Sequence, residues 1–257
     1  MAGAFYPDDP DELRAQVTRA LTAAAASSSS SPTPPKAIVA PHAGYVYSGP
    51  VAASAYACLE PLRATVRRVV LLGPAHRVLV DGLAVSSADS FVTPLGPVPV
   101  DVQLRQLVLT RPQVQVGDRA HAHEHSLEVH LPFLQLCLEE FTLLPLVVGH
   151  CSPQDVAEVL ELVWGGPETL IVLSTDLSHY HDYETARALD ARTASAIVAL
   201  AAADIGDRDA CGAYPLRGLL EAVGRHRLEV RELDLRNSGD TAGPRDRVVG
   251  YGAFAVV

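Results

Sequence analysis

The chain of 257 residues has few cysteines and no long apolar run, and each absence excludes a class of protein. The four cysteines are Cys58, Cys137, Cys151 and Cys211. They form no Cys-x-x-Cys pair and no disulfide framework, which predicts buried, reduced thiols. The first residues lack the charged leader and apolar region of a secretory signal. No apolar run approaches the ~20 residues that span a membrane. We therefore expect a cytoplasmic protein with no membrane partner.

Positive charge is also scarce. Lys36 is the only lysine, and the formal net charge is −10. That balance argues against a nucleic-acid partner or an anionic membrane surface. The sequence contains no Gly-x-Ser-x-Gly elbow, no P-loop and no dinucleotide fingerprint, and nothing in it positions a nucleophilic serine.

A hydrophobic fraction of 48% is ample for a core. Short apolar runs alternate with helical patterns along most of the chain, which predicts an α/β domain over residues 1–257. We expect a mixed, largely parallel central sheet with helices on both faces. A low-complexity stretch at residues 27–35 is predicted to be a loop. The predicted strands cover residues 38–40, 67–72, 83–85, 91–93, 98–100, 141–148, 170–173, 228–235 and 247–256. The predicted helices start near residue 9 and at residues 51, 101, 153, 183 and 213. The leucines at 127, 131, 134 and 138 also keep helical spacing, with Pro132 in the first turn or two or at a kink.

Three predicted strands each run into a turn that carries a histidine. His42 follows the strand at 38–40, His76 follows the strand at 67–72, and His179 follows the strand at 170–173. Ligands of open α/β sheets gather at the carboxyl ends of the strands, where separate strand ends converge. Three histidines in equivalent places therefore favour one shared metal or catalytic site.

A second group of histidines lies in the segment 121–132 and leaves two interpretations open. A His-x-His-x-His run is able to bind a metal, but the segment also fits a solvated loop with acidic residues at a helix start. Glu128 and His130 lie beside core leucines, and an orienting role around the site is open to four members of the segment. These four residues are Glu124, His125, Glu128 and His130.

Two aspartates are candidates to complete the site. Asp240 lies in a turn after the strand at 228–235, and it is either a carboxylate ligand or an ordinary turn residue. Asp176 follows the third strand and precedes His179. It is a candidate ligand, a partner that fixes a histidine tautomer, or a helix cap.

Six motifs in chain order resemble the Memo (mediator of cell motility) family, whose bacterial and archaeal members include AmmeMemoRadiSam system protein B. The match runs from Gly3 to the end of the sequence, and the combination is specific although each motif alone is weak. The motifs occupy residues 3–7, 41–49, 72–76, 124–133, 174–179 and 211–212.

The resemblance implies the fold of the class III extradiol (LigB-type) dioxygenases, which hold non-haem Fe(II) with two histidines and a carboxylate. It implies a family pocket of three histidines and a cysteine that binds iron or copper. The histidines carry over to His42, His76 and His179. The cysteine position falls near Thr241, beside Asp240, so this chain departs from the animal pattern. Loss of that thiolate is expected to weaken a preference for Cu(I).

Two hypotheses follow for function. In the first, the protein is a dioxygenase-like metal enzyme with an unknown small-molecule substrate. His42, His76, His179 and Asp240 are then the predicted metal ligands, and His179 is a ligand or an acid/base group. Glu128 and His130 are predicted to support the catalytic pocket. In the second hypothesis, the protein binds metal or ligand without catalysis. The family name then implies radical-SAM and AMMECR1-like partners, neither of which this chain contains.

Overall fold

The computed structural model of the protein describes residues 1–27 and 33–257, so residues 28–32 of the predicted low-complexity loop lie outside the described residues. The strands in this part of the chain are β1 (Ala37–Ala40), β2 (Arg68–Pro74), β3 (Leu83–Val85), β4 (Ser90–Thr93), β5 (Gly96–Pro99), β6 (Val114–Val116), β7 (Thr142–Val148), β8 (Thr169–Ser174), β9 (His179–His181), β10 (Val230–Asn237) and β11 (Val248–Val256). The α-helices are α1 (Pro10–Ser27), α2 (Tyr45–Tyr56), α3 (Val102–Val108), α4 (Asp118–His121), α5 (His125–Glu128), α6 (Leu131–Cys137), α7 (Pro153–Val163), α8 (Tyr183–Val198) and α9 (Ala213–Arg225).

The central sheet has the strand order β10-β11-β1-β8-β2-β7-β3-β6, and β9 pairs with β11. The four middle strands β1, β8, β2 and β7 run parallel to one another. The flanking strands β11 and β3 run antiparallel to β1 and β7. The prediction of a mixed, largely parallel sheet is confirmed. The carboxyl ends of β1, β8 and β2 therefore meet at one edge of the sheet.

Side chains alternate between two packed layers along the middle strands. In β8, Leu170 and Val172 belong to a layer formed with α1, α2 and α6. Ile171 and Leu173 belong to the opposite layer, formed with α7, α8 and α9. Both faces of the sheet are thus covered, as continuous apolar strands require. The short apolar runs and the helical patterns of the sequence arise from these two layers.

Local structure differs from the sequence prediction in two segments near the sheet edge. Helix α2 begins at Tyr45 rather than residue 51, and it includes Pro50. The helical spacing of the leucines from Leu127 to Leu138 is broken into α5 and α6, with Pro132 in the first turn of α6. A proline in a first turn removes no intrahelical hydrogen bond, so the break falls where the chain tolerates it.

Among the described residues, no helix is both long and apolar enough to cross a membrane.

Candidate metal centre

Three histidines converge at the carboxyl edge of the sheet. His42 follows β1, His76 follows β2, and His125 opens the short helix α5. One ring nitrogen from each lies within 4.8 Å of the others. The ring centroids of His42 are 5.1 Å from His76 and 5.4 Å from His125, and the last two rings stack at 4.8 Å. We call these three residues the histidine cluster.

His42 is held in one tautomer by a chain of hydrogen bonds. Its Nδ1 lies 2.6 Å from the hydroxyl of Ser174. That hydroxyl donates to the backbone carbonyl of Ser126 at 2.6 Å. A serine hydroxyl has a single proton, so Ser174 must accept from His42 Nδ1. The Nε2 atom of His42 is therefore unprotonated and free to act as a ligand.

His76 is fixed in the same tautomer, but by a carboxylate. Glu124 Oε1 accepts from His76 Nδ1 at 2.8 Å, and Oε2 accepts from the His76 backbone at 2.7 Å. Glu124 Oε1 also accepts from the backbone of Ser126 at 3.0 Å. A carboxylate behind an imidazole orients the ring and raises its basicity as a metal ligand. The Nε2 atom of His76 is then the free nitrogen.

A close approach between β2 and α5 makes this arrangement possible. A Cβ on Gly73 would lie 2.8 Å from side-chain atoms of both Ser126 and Leu127. Glycine at this position lets α5 pack against the end of β2, which brings Glu124 onto His76. His125 follows Glu124 in the chain and stacks on the ring of Phe5 at 4.5 Å. Its Nδ1 lies 3.4 Å from Glu124 Oε1 and makes no hydrogen bond within the described chain.

Burial favours the neutral form, which metal ligands need, for His42 and His125. Burial lowers the pKa of His42 well below its usual value, and the neighbouring imidazoles His76 and His125 lower it further. Burial and His76 likewise lower the pKa of His125. Burial alone would raise the pKa of Glu124, but its hydrogen bonds to His76 and Ser126 outweigh that effect and lower the pKa to about 2. The site thus combines neutral imidazoles with an ionised orienting carboxylate.

A carboxylate and a thiol lie beside His42. Asp176 Oδ1 accepts from the His42 backbone at 2.8 Å, and Oδ2 is 4.0 Å from His42 Nε2. The Sγ atom of Cys211 is 3.3 Å from the same Nε2. Gly212 allows this approach, because a Cβ there would lie 2.8 Å from the Ser174 carbonyl. Burial raises the pKa of Cys211 to about 12, so the group is a neutral thiol.

Two residues of the site were not assigned as ligands from the sequence. His125 does not follow a strand, and the pattern of histidines at strand ends therefore missed it. Cys211 lies far from the three strand ends in sequence and was interpreted as a buried structural thiol. The motif residues 124–133 and 211–212 were the available signals for both positions.

The other two predicted metal ligands, His179 and Asp240, are not among the clustered ligand atoms. His179 starts β9, and its Nδ1 lies 2.8 Å from the Leu177 carbonyl. Asp240 is exposed, and its two carboxylate oxygens accept from Tyr183 at 2.5 Å and from the Asn237 backbone at 3.1 Å. Neither belongs to the histidine cluster. Their roles as ligands stay predictions.

The two predicted supporting residues are both engaged by tyrosines. Glu128 Oε1 accepts from the Tyr6 hydroxyl at 2.6 Å. His130 is buried, and its Nδ1 lies 2.8 Å from the Tyr56 hydroxyl. Their catalytic roles likewise stay predictions.

The donor set of the cluster fits a first-row transition metal ion. Imidazole nitrogens suit iron, copper and zinc, and two of the three rings already have an unprotonated nitrogen fixed by their partners. The side chains of His76 and His125 are 26% and 16% exposed, so an ion or a small molecule has access from solvent. The donor set alone does not select one metal.

The fold and the site define an α/β protein with a three-imidazole cluster at the carboxyl edge of its sheet. A family model described as Memo-like protein matches residues 1–255. MEMO1 family proteins of Aquifex aeolicus and Methanosarcina barkeri are 36% and 35% identical to this chain. These alignments cover 98% and 100% of the chain, and 95% and 98% of the two relatives. The chain therefore belongs to the Memo family, as its motifs predicted.

A solved structure supports the fold alone. The uncharacterized protein JW3007 from Escherichia coli K12 superposes with a TM-score of 0.53 at 12% identity, over 84% of this chain and 98% of that one. The sheet architecture is thus shared with a distant protein.

Proposed function

We propose that the histidine cluster binds a redox-active iron or copper ion and that the protein is a metal-dependent redox enzyme related to the extradiol dioxygenases. The observation that carries this proposal is the convergence of three imidazoles, two of which use Nδ1 for a buried partner, so that Nε2 is the nitrogen available to a metal. Such an ion would supply Lewis-acid and one-electron redox chemistry.

The chain's own groups have distinct tasks in this proposal. Ser174 and Glu124 hold the ligand nitrogens of His42 and His76 towards the ion. The carbonyl of Leu177 can only accept, so His179 Nδ1 donates to it, and in the neutral imidazole the lone pair is then on Nε2. His179 is thereby prepared to take a proton from a substrate as a general base. Partial exposure of His76 and His125 gives that substrate a route to the site.

Metal loading tests the proposal. The metal-free protein is incubated anaerobically with Fe(II) or with copper, and bound metal is measured after gel filtration. We expect about one ion per chain in the wild type and a loss of bound metal in His42→Ala and His76→Ala. His226→Ala is the matched control, because this histidine pairs with Glu161 and stacks on Trp164, outside the cluster. Full stoichiometry in both cluster variants would overturn the assignment.

One observation favours a second function, metal handling without catalysis. The thiol of Cys211, 3.3 Å from His42 Nε2, is a soft donor of the kind that suits Cu(I). The protein would then act with radical-SAM and AMMECR1-like partners. Oxygen uptake by the Fe(II)-loaded protein with a panel of catecholic compounds separates the two functions. Oxygen uptake supports the enzyme. No uptake with any compound, together with tight binding of such a partner, supports metal handling.

A further inference from the structure

His130 has a buried ring nitrogen without a partner. The residue is 1% exposed, and its Nε2 makes no hydrogen bond within the described chain. Buried polar atoms are nearly always paired, so an unpaired one calls for a ligand, a water or an ion. His130 is five residues beyond His125, in the turn between α5 and α6.

The Tyr56 hydroxyl determines which nitrogen of His130 carries the proton. Within the described chain, the structure gives this buried hydroxyl one partner, His130 Nδ1 at 2.8 Å. If Tyr56 donates to Nδ1, only the Nε2–H group is unpaired. If His130 donates instead, the Tyr56 proton and the Nε2 lone pair are both unpaired. The first arrangement leaves fewer buried polar groups unpaired and is therefore favoured.

The ring of His130 lies near the histidine cluster, close enough for His42 and His125 to affect its pKa. The two nitrogens of an imidazole point in divergent directions, so Nε2 points away from Tyr56. Burial, followed by the nearby rings of His42 and His125, lowers the pKa of His130 to about 3. The same two rings provide metal-ligating nitrogens in the cluster. His130 is thus a neutral donor near the cluster.

We propose that His130 presents its Nε2–H group as a hydrogen-bond donor to a small anionic ligand bound at the histidine cluster, with Tyr56 fixing the tautomer. The ligand class is one with an oxygen or nitrogen lone pair next to the metal. The inference rests on the proposed metal site. It assigns to His130 the role of positioning that ligand. Tyr56 acts indirectly, because it fixes the tautomer of His130.

The tautomer is tested without metal. Side-chain ¹H–¹⁵N correlation spectra of the metal-free protein are expected to show His130 protonated only on Nε2. Tyr56→Phe removes the donor to Nδ1 and is expected to give a mixture of tautomers. Tyr45→Phe is the matched control, because its buried hydroxyl donates to the Val129 carbonyl at 2.5 Å and not to a histidine. A wild-type His130 protonated on Nδ1 would overturn the proposal.

Ligand binding is tested with azide on the Cu(II)-loaded protein, followed by its charge-transfer absorption. His130→Leu removes the donor and is expected to weaken azide binding about tenfold at unchanged copper stoichiometry. His130→Gln offers an amide N–H near the position of Nε2, and we expect it to recover most of the affinity. If His130→Leu does not fold, the comparison of Tyr56→Phe with Tyr45→Phe replaces it, with weaker azide binding expected only in Tyr56→Phe.

The outcomes separate this inference from the metal site itself. Equal azide affinity in His130→Leu and the wild type, with full copper loading, means that Nε2–H serves only a buried water, and the inference is wrong while the metal site stands. Absence of both iron and copper from the wild type means that the proposed function fails, and the tautomer spectra then decide on His130 by themselves.

Discussion

Strands β1 and β8 have a polar cluster at each end, and the two clusters use their hydrogen bonds differently. At the amino ends, Lys36 precedes β1, and its ammonium group donates to the carbonyls of Trp164, Gly166 and Thr169 at 2.5, 2.9 and 2.8 Å. An ammonium has three protons, so this cluster is saturated. It ties the end of α7 to the sheet and has no donor left for a ligand.

At the carboxyl ends of the same strands, the cluster is unsaturated. His42 and His76 each use Nδ1 for a protein partner, Ser174 or Glu124, which leaves Nε2 as the nitrogen available to a metal, and that of His42 is 3.3 Å from the Cys211 thiol. His125 Nδ1 and His130 Nε2 are buried without partners in the described chain. The hydrogen bonds at this end orient the imidazole rings, and one ring nitrogen from each member of the histidine cluster lies within 4.8 Å of the others. The comparison teaches that saturation indicates a structural role, whereas oriented but unpaired nitrogens indicate a binding site.

The largest effect is expected from the orienting carboxylate. Glu124→Gln removes the charge behind His76 but keeps the side-chain shape, and we expect metal affinity to fall by about 10- to 100-fold. Isothermal titration of the metal-free protein measures this change. Glu128→Gln is the matched control, since its carboxylate binds Tyr6 and no histidine of the cluster. Equal losses of metal affinity in the two variants would show that Glu124 has no special role in orienting His76.

The opposite end of the strands is expected to govern stability instead. Lys36→Met keeps the length of the side chain but leaves three carbonyls without their donor, which should lower the free energy of unfolding by about 2 kcal/mol. Urea denaturation measures the change, and metal affinity should stay within about twofold of the wild type. A large loss of metal affinity at unchanged stability would contradict the assignment of a purely structural role to the Lys36 cluster.

A smaller effect on metal affinity is expected at Ser174, the uncharged group that accepts from His42 Nδ1. Ser174→Ala removes the acceptor of His42 Nδ1–H, and metal affinity should fall by about three- to tenfold because the tautomer is no longer fixed. Ser48→Ala serves as the control, because this buried hydroxyl donates to the Ala43 carbonyl. A loss as large as that of Glu124→Gln would show that charge behind the imidazole is unimportant.

The smallest effect is expected at the surface. Asp240→Asn should change metal affinity by less than about threefold, because both carboxylate oxygens are occupied by Tyr183 and Asn237. Competitive titration with a chromogenic chelator resolves so small a difference. A hundredfold loss would instead support the sequence prediction that Asp240 is a ligand.

Much of the frame was predictable from sequence because it depends on local pattern. Strands β1, β2 and β8 are short apolar runs, and His42 and His76 follow two of them directly. Strand periodicity and the rule that parallel strands end at one edge were enough to place these histidines together.

The rest of the site depends on contacts between distant segments, which local pattern does not encode. Glu124 reaches His76 because Gly73 allows a close approach, and Cys211 reaches His42 because Gly212 allows another. His125 joins the cluster from a one-turn helix rather than from a strand end. That a glycine is needed for such a close contact can be recognised only when its neighbours in space are known.

X-ray absorption at the metal edge tests the central claim most directly. In the iron- or copper-loaded wild type, we expect nitrogen backscattering with the multiple-scattering pattern of about three imidazole rings, reduced by about one ring in His125→Ala. This variant distinguishes the observed cluster from the set of histidines at strand ends. An imidazole count that His125→Ala leaves unchanged would contradict the assignment of His42, His76 and His125 as the metal centre.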